Sequence, residues 1–189
     1  MNTREQILNR ALFLFAHNGY DNVGIQSILD DVEVKKPTLY HYFGSKNGLL
    51  NEILGTHYKK LLKELKNCNV NPDDIVLTLE NIVRVLFHFA EEHKEFFKLF
   101  FAASYAAENS EVKITNNSYY LQFYKFIEDF FIHLAKNRDN LKDMVTILTK
   151  SFIGTVTTYI SLYLYEDFKL TDKLVYLVVK QFMYGIFSL

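Results

Sequence analysis

Between Gly24 and Lys46 the chain reads GIQSILDDVEVKKPTLYHYFGSK, a stretch that crowds hydrogen-bond donors and flat rings into its second half. Leu39 and Phe43 stand four residues apart, so on a helix they share the inward face and turn Lys36, Thr38, His41 and Tyr42 wholly or partly outward. That chemistry suits a nucleic-acid duplex. A lysine donates to guanine N7 or O6, a threonine bonds a base edge or touches a thymine methyl, and the Tyr40 ring can pack on a methyl. His41, Tyr42 and Lys46 suit phosphates, which position a protein without specifying sequence. Ser45 is a candidate N-cap for the next helix, whose first-turn N–H groups would add to the Lys46 charge in holding an anion. The candidate DNA-binding set is therefore Gln26, Lys36, Pro37, Thr38, Tyr40, His41, Tyr42 and Lys46. The competing reading is a solvated surface helix that merely carries tyrosines.

These residues need elements to hold them. From Thr3 to Asn18, the residues Ile7, Leu8, Ala11, Leu12, Leu14 and Phe15 recur at the spacing of one apolar helix face. Thr3 with Gln6 forms a capping-box pattern, and Gly19 is a natural left-handed stop. Ile25, Ile28, Leu29 and Val32 repeat the stripe in a second helix. Pro37 belongs in a first helical turn, where its missing N–H is no loss, so a third helix starts near Lys36.

With these residues in hand, positions 3 to 50 resemble the N-terminal DNA-binding domain of the TetR/AcrR family of transcriptional regulators. The resemblance rests on Arg4, Ile7, Leu8, Ala11, Leu14, Phe15, Gly19, Tyr20, Ile28, Val34, the run Pro37 through Phe43, Ser45-Lys46 and Leu49-Leu50. It implies an all-helical homodimer that binds a palindromic operator and releases it when a small molecule enters the C-terminal domain. Repression is the commoner behaviour in that family. Four departures stand out. Val23-Gly24 replaces the usual hydroxyl pair entering helix two, which removes an expected phosphate contact. Val32-Glu33 replaces Ala-Gly in the turn, where a glutamate meets a steric penalty if the backbone is left-handed. Asn47 stands where a glutamate is usual, and Leu29 and Val32 replace small alanines. These changes are expected to alter which operator is read and not whether DNA is bound.

A chain of 189 residues that is 49% hydrophobic can fill a core, and its 2 prolines and 7 glycines leave long helices uninterrupted. The formal net charge of -1 speaks against general stickiness to nucleic acid, which comes from phosphate neutralisation. Locally, Arg4, Arg10, Lys35, Lys36 and Lys46 are partly offset by Asp30, Asp31 and Glu33, so one copy should bind weakly and two together well. Cys68 is the only cysteine, which excludes an intramolecular disulfide and fits a reducing compartment. Met1 leads directly into an amphipathic helix rather than a secretion signal. Residues 151 to 165 lack charge but are laced with threonine, serine and tyrosine, and Lys180 interrupts the apolar C-terminal helix, so a cytoplasmic protein is expected.

Beyond the reading region the pattern stays helical, giving an all-α expectation with a DNA-binding domain over 1–47 and a larger helical effector-binding and dimerisation domain over 48–189. A helix from about Ser45 to Lys66 would join the two, and its movement would link them. Asn71-Pro72-Asp73-Asp74 reads as a cap, a first-turn proline and dipole-facing acids ahead of a helix running to about His93. Helices follow over Glu95 to Ala107, Ser118 to Lys136, Leu141 to Tyr165 and Thr171 to Phe187. Glu108 to Asn117 is the most polar break and the candidate flexible loop; Asn137 to Asn140 and Asp167 to Leu170 are turns. The last two helices carry Met144, Val145, Leu148, Phe152, Val156 and Ile160, then Leu174, Val178, Phe182, Met183, Ile186 and Phe187. Helices apolar over more than one face need a second partner, and another copy of the chain can supply it; the alternative is packing within their own domain. A dimer would set two reading helices roughly 34–36 Å apart, one turn of duplex.

With 17 phenylalanines, 13 tyrosines and no tryptophan, the chain has rings enough to line an apolar pocket as well as a core. The resemblance favours a pocket for a hydrophobic or aromatic small molecule, with Phe87, Phe100, Phe101, Tyr105, Phe123, Tyr124, Phe152 and Tyr159 as candidate ligand contacts. Core filling is the plainer role for any single ring. Other motifs fail on spacing. Gly44-Ser45-Lys46 resembles the end of a P-loop, but Leu39 stands at the first glycine position and no strand precedes it. His88, Glu92 and His93 lack an assignable third ligand, so neither a metal nor any other cofactor is expected. Asn116-Asn117-Ser118 is a chance glycosylation sequon. No nucleophile has a convincing base nearby, which leaves an enzyme little to stand on. The alternative function is a helical small-molecule-binding module without DNA-binding activity, which would have no use for exposed Lys36, Thr38, Tyr42 and Lys46.

Overall fold

A computed structural model describes residues 2–68, 71, 74–136 and 138–185. Among these the secondary structure is helical throughout: α1 (Thr3–Asn18), α2 (Ile25–Asp30), α3 (Lys36–Phe43), α4 (Lys46–Asn67), α5 (Ile75–Glu92), α6 (Lys94–Ser104), α7 (Glu111–Ala135), α8 (Asp139–Lys142), α9 (Val145–Tyr165) and α10 (Asp172–Tyr184). The chain divides into two compact units, one of Met1–Lys59 with His93–Leu121, the other of Lys60–Glu92 with Gln122–Leu189.

In the first unit α1 packs on α2, α3 and α6, burying Ile7, Ala11, Leu14 and Phe15 as their spacing requires. The capping box is one residue earlier than Thr3 and Gln6 suggest. Asn2 accepts from the Glu5 N–H at 2.9 Å, and Glu5 accepts from the Asn2 N–H at 3.1 Å. Asparagine caps at least as well as threonine, so the box forms where the helix can gain the extra residue. Gly19 ends α1 with φ 78. At its C-terminal end His17 lies 2.7 Å from a Glu95 oxygen on α6, and Lys98 lies 3.3 Å from the same ring nitrogen.

The expected flexible loop is largely helix. Ser110 accepts from the Lys113 N–H at 3.3 Å, α7 begins at Glu111, and Val112, Thr115 and Asn116 are buried. The polar run is thus an N-cap and a first turn with an acid facing the helix dipole, and only Tyr105 to Ser110 is left as connection.

In the second unit α5 packs on α9 and α10, and α9 on α10. The start of α5 is capped by Asp74, whose carboxylate accepts from the Leu77 N–H at 3.0 Å, while Thr78 exchanges hydrogen bonds of 2.9 and 2.8 Å with the Asn71 backbone. The Asn71 backbone is thus tied to the buried Thr78 in the first turn of α5. Pro72, Asp73 and Asn137 lie outside the described residues, as do Ile186 and Phe187. The helix expected over Leu141 to Tyr165 is broken, with short α8 ending at Lys142 and α9 beginning at Val145. Thr171 caps α10 by accepting from the Leu174 N–H at 3.2 Å. Among the described residues α9 alone has the length and composition to cross a membrane. It also buries Thr149, Phe152, Ile153, Val156 and Ile160, as a core helix would.

Candidate nucleic-acid interface

Helices α2 and α3 are joined by a tight turn in which the Val32 and Val34 N–H groups both donate to the Leu29 carbonyl, at 3.1 and 3.4 Å. Glu33 sits inside that turn with φ 53, the left-handed conformation that its position made costly. A residue with a Cβ held there gives up about 1–2 kcal/mol. Helix α3 then starts from Lys35, with Pro37 in its first turn, and stops at Gly44, φ 70, whose N–H donates to the Tyr40 carbonyl at 2.9 Å.

Leu39 is 0% exposed and Phe43 is 9% exposed, so α3 is fastened by the two residues four apart. Its remaining face is open: Lys35, Lys36, Pro37, Tyr40, His41 and Tyr42 are exposed and Thr38 is half-buried. The His41 and Tyr42 rings lie 5.6 Å apart. Arg4 braces this helix from α1, with its guanidinium 5.3 Å from the Phe43 ring and 2.9 Å from Glu52. Five of the eight predicted contact residues, Lys36, Pro37, Tyr40, His41 and Tyr42, thus share an accessible surface with the partly covered Thr38.

The other two are held differently. Gln26 is exposed on α2, but its amide donates to Asp30 at 2.6 Å, leaving its carbonyl oxygen available. Lys46 is half-buried, with its ammonium 4.1 Å from the centre of the Tyr20 ring and 5.9 Å from that of Phe15. Burial lowers the Lys46 pKa below its ordinary value, while the charges of Asp21 and Glu111 act to raise it. Tyr20 donates to Glu111 at 2.5 Å, and burial followed by that bond pushes its hydroxyl well above the tyrosine range. Next to Lys46, Asn47 donates to Thr115 at 3.3 Å.

Ser45 caps α4 as its type predicts, accepting from the Gly48 N–H at 2.9 Å. The turn is so tight that a Cβ on Gly48 would lie 1.9 Å from the Phe43 carbonyl oxygen. Sequence reasoning missed Lys35, exposed at the N-cap of α3, and Glu111. Lys35 could have been found as the residue before Lys36-Pro37; around Glu111 the only signal is a serine followed by Val112 within a polar run, too weak to mark a helix start.

The eight candidate ligand contacts are divided between the two units. Phe100, Phe101 and Tyr105 belong to the first unit, where the two phenylalanine rings touch at 5.2 Å and Tyr105 is 88% exposed. Phe87, Phe123, Tyr124, Phe152 and Tyr159 belong to the second; Phe87, Phe123 and Phe152 are buried and the two tyrosines half-buried. An open cavity of about 400 Å³ in the second unit includes Phe87 together with Arg84, His88, Leu170 and Val175. His88 lies 3.3 Å from Glu92, and among the described residues no group of three or more His, Cys, Asp or Glu side chains could hold a metal ion.

A three-helix N-terminal bundle whose third helix is fastened by Leu39 and Phe43 and open over most of its other positions has the arrangement of a helix-turn-helix domain, here followed by further helices. The profile of the family described as "Bacterial regulatory proteins, tetR family" matches residues 7–53. The chain is 31% identical over 93 residues to the uncharacterized HTH-type transcriptional regulator YuxN of Bacillus subtilis, a stretch covering 49% of this chain and 32% of that protein. To the IcaR negative transcriptional regulator of the biofilm operon icaADBC in Staphylococcus epidermidis it is 22% identical, covering 79% of this chain and 81% of the other. Its fold matches a TetR-family transcriptional regulator from Bordetella parapertussis at a TM-score of 0.79, with 23% identity over 100% of this chain and 97% of that one. It also matches AibR, solved in complex with isovaleryl coenzyme A and operator DNA, at 0.70, with 21% identity over 95% and 97%. The family match is confined to the N-terminal quarter of the chain, and the first of these relatives is matched over about a third of its own length.

Proposed function

We propose that this chain is a ligand-responsive transcriptional regulator, a repressor, that binds a palindromic operator as a homodimer and is released by a small hydrophobic effector. The observation that carries the reading is α3: Leu39 and Phe43 are buried while Lys36, Tyr40, His41 and Tyr42 are exposed on the same eight-residue helix. A surface so composed has donors for base edges at its N-terminal end and rings and a hydroxyl for the backbone beyond. Residues 1–47 would then be the DNA-binding part and 48–189 the effector-binding and dimerisation part, working in the cytoplasm as a regulator and not as an enzyme.

Pairing is supported by the outer sides of the last two helices. Ile147 and Tyr165 on α9 and Tyr176, Leu177 and Tyr184 on α10 are exposed large apolar residues, a cost to a lone chain that a second copy would relieve. Light scattering at micromolar protein without DNA should give the mass of two chains; one chain's mass would remove this interface. For the effector, AibR carries an acyl thioester of coenzyme A. A fatty or branched acyl ligand of that class is the first to try here. It should lower operator affinity by the same factor by which operator lowers its own.

The test is a mobility shift on the DNA upstream of the chain's own gene. Wild type should shift it at low salt and lose affinity steeply as salt rises. Tyr42→Ala and Lys46→Ala should weaken the shift with the helical spectrum intact. A wild type that shifts no such DNA, or variants that shift it equally well, would overturn the assignment.

A further inference from the structure

Glu111 stands on a different helix from every candidate DNA contact, yet the structure draws it to one of them. Its carboxylate accepts from the Tyr20 hydroxyl at 2.5 Å, and the face of the same tyrosine ring carries the Lys46 ammonium at 4.1 Å. One side chain, Tyr20, thus holds an anion at its rim and a cation on its face. Tyr20 is 4% exposed, so it cannot swing away to let either partner go. Asn47 donating to Thr115 at 3.3 Å fastens the neighbouring turn of α4 to the same end of α7, which fixes Glu111 relative to Lys46.

We propose that Glu111 is a positioning residue that restrains Lys46, its carboxylate competing with a DNA phosphate for the lysine ammonium. The proposal rests on the DNA-binding reading above. A lysine on a buried ring has given up part of its hydration, so what remains of its attraction is divided among the anions near it. In the free protein those are Glu111 and Asp21, both of which act on the Lys46 charge. A phosphate arriving at the first turn of α4 must draw the ammonium away from that field. Lys46 is therefore a weaker phosphate contact than its sequence position promises, and α7 sets how weak. Any shift of the first turn of α7 would change the strength of the contact without touching α3.

Fluorescence anisotropy of the full chain with a mixed-sequence duplex, followed across a range of salt, tests this, because phosphate contacts are read without regard to sequence. Glu111→Gln keeps an acceptor for Tyr20 and removes the charge. It should tighten binding at low salt by roughly 2–5-fold, the effect of one partly exposed charge pair, and steepen the salt dependence. Tyr20→Phe keeps the ring but frees the carboxylate, and should move binding the same way by less. In a Lys46→Ala background Glu111→Gln should have no effect. If it tightens binding there by the same factor, the charge acts generally on DNA and the restraint of Lys46 is refuted. If wild type binds duplex and Glu111→Gln binds identically, the restraint is likewise refuted while the DNA-binding reading stands. If wild type binds no duplex at any salt, the reading beneath it fails first.

Discussion

On α3 the rings of Tyr40 and Tyr42 remain 47% and 42% exposed, whereas in the second unit Phe152 is 0% exposed and its ring meets that of Phe131 at 6.0 Å and that of Phe182 at 5.3 Å. Similar side chains meet opposite fates because the helices differ in what they must bury. Eight-residue α3 needs only Leu39 and Phe43 to hold it, so its other positions are free for contact. The 21-residue α9 buries five residues along its length, and a ring among them is committed to packing. An aromatic residue on a helix therefore says little about function until its angular position relative to the buried stripe is known.

Stability measurements should separate the two regions most sharply. Phe152→Ala should cost about 3–5 kcal/mol in urea unfolding, from lost burial and the cavity left behind. Tyr40→Ala should stay within about 0.5 kcal/mol, as for a solvated surface site. Equal losses would mean that Tyr40 is structural and would erase the contrast. The exposed face also depends on the turn that ends α3. Gly48→Ala forces a methyl against the Phe43 carbonyl and should destabilise by about 1–3 kcal/mol, visible as a lower melting temperature. A smaller change of opposite sign is expected at the other end of α3. Glu33→Gly should stabilise by about 0.5–1 kcal/mol, because the relief of a left-handed glutamate exceeds the entropy that glycine adds to the unfolded chain.

The smallest effect concerns pH. Tyr20 and Tyr58 have pKa values raised above the ordinary 10.0, chiefly by burial, so each binds its proton more tightly folded than unfolded. Their contribution is complete below pH 10.0 and declines above it, as the unfolded chain ionises first. Tyr20→Phe should make the alkaline loss of stability less steep, with the slope against pH near neutrality unchanged; the same steepness as wild type would show that Tyr20 does not carry that proton.

The N-terminal region was legible because short-range rules govern it. Pro37 fixes where α3 begins, Gly19 fixes where α1 ends, and the four-residue step from Leu39 to Phe43 fixes which side is buried. Even the strain at Glu33 could be anticipated, since only the turn's backbone conformation was in question. Glu111 was not legible, because a run of polar residues reads as a loop until the Ser110 cap and the buried Val112 and Thr115 declare a helix. Neither was the burial of Lys46 on Tyr20, two residues far apart in sequence. The effector site stayed out of reach for a deeper reason. A ring that fills a core and a ring that lines a pocket obey the same spacing, and Phe87, Phe123 and Phe152 are all buried whichever they do.

The central claim, that the open face of α3 meets base edges in duplex DNA, is tested most directly by measuring the affinity of Lys36→Ala for the DNA upstream of the chain's own gene and for a scrambled duplex of the same length. The account predicts that affinity for the upstream DNA falls by about 1–3 kcal/mol, that affinity for the scrambled duplex falls much less, and that the helical spectrum is unchanged. Wild-type affinity for both duplexes, from a folded variant, would contradict it.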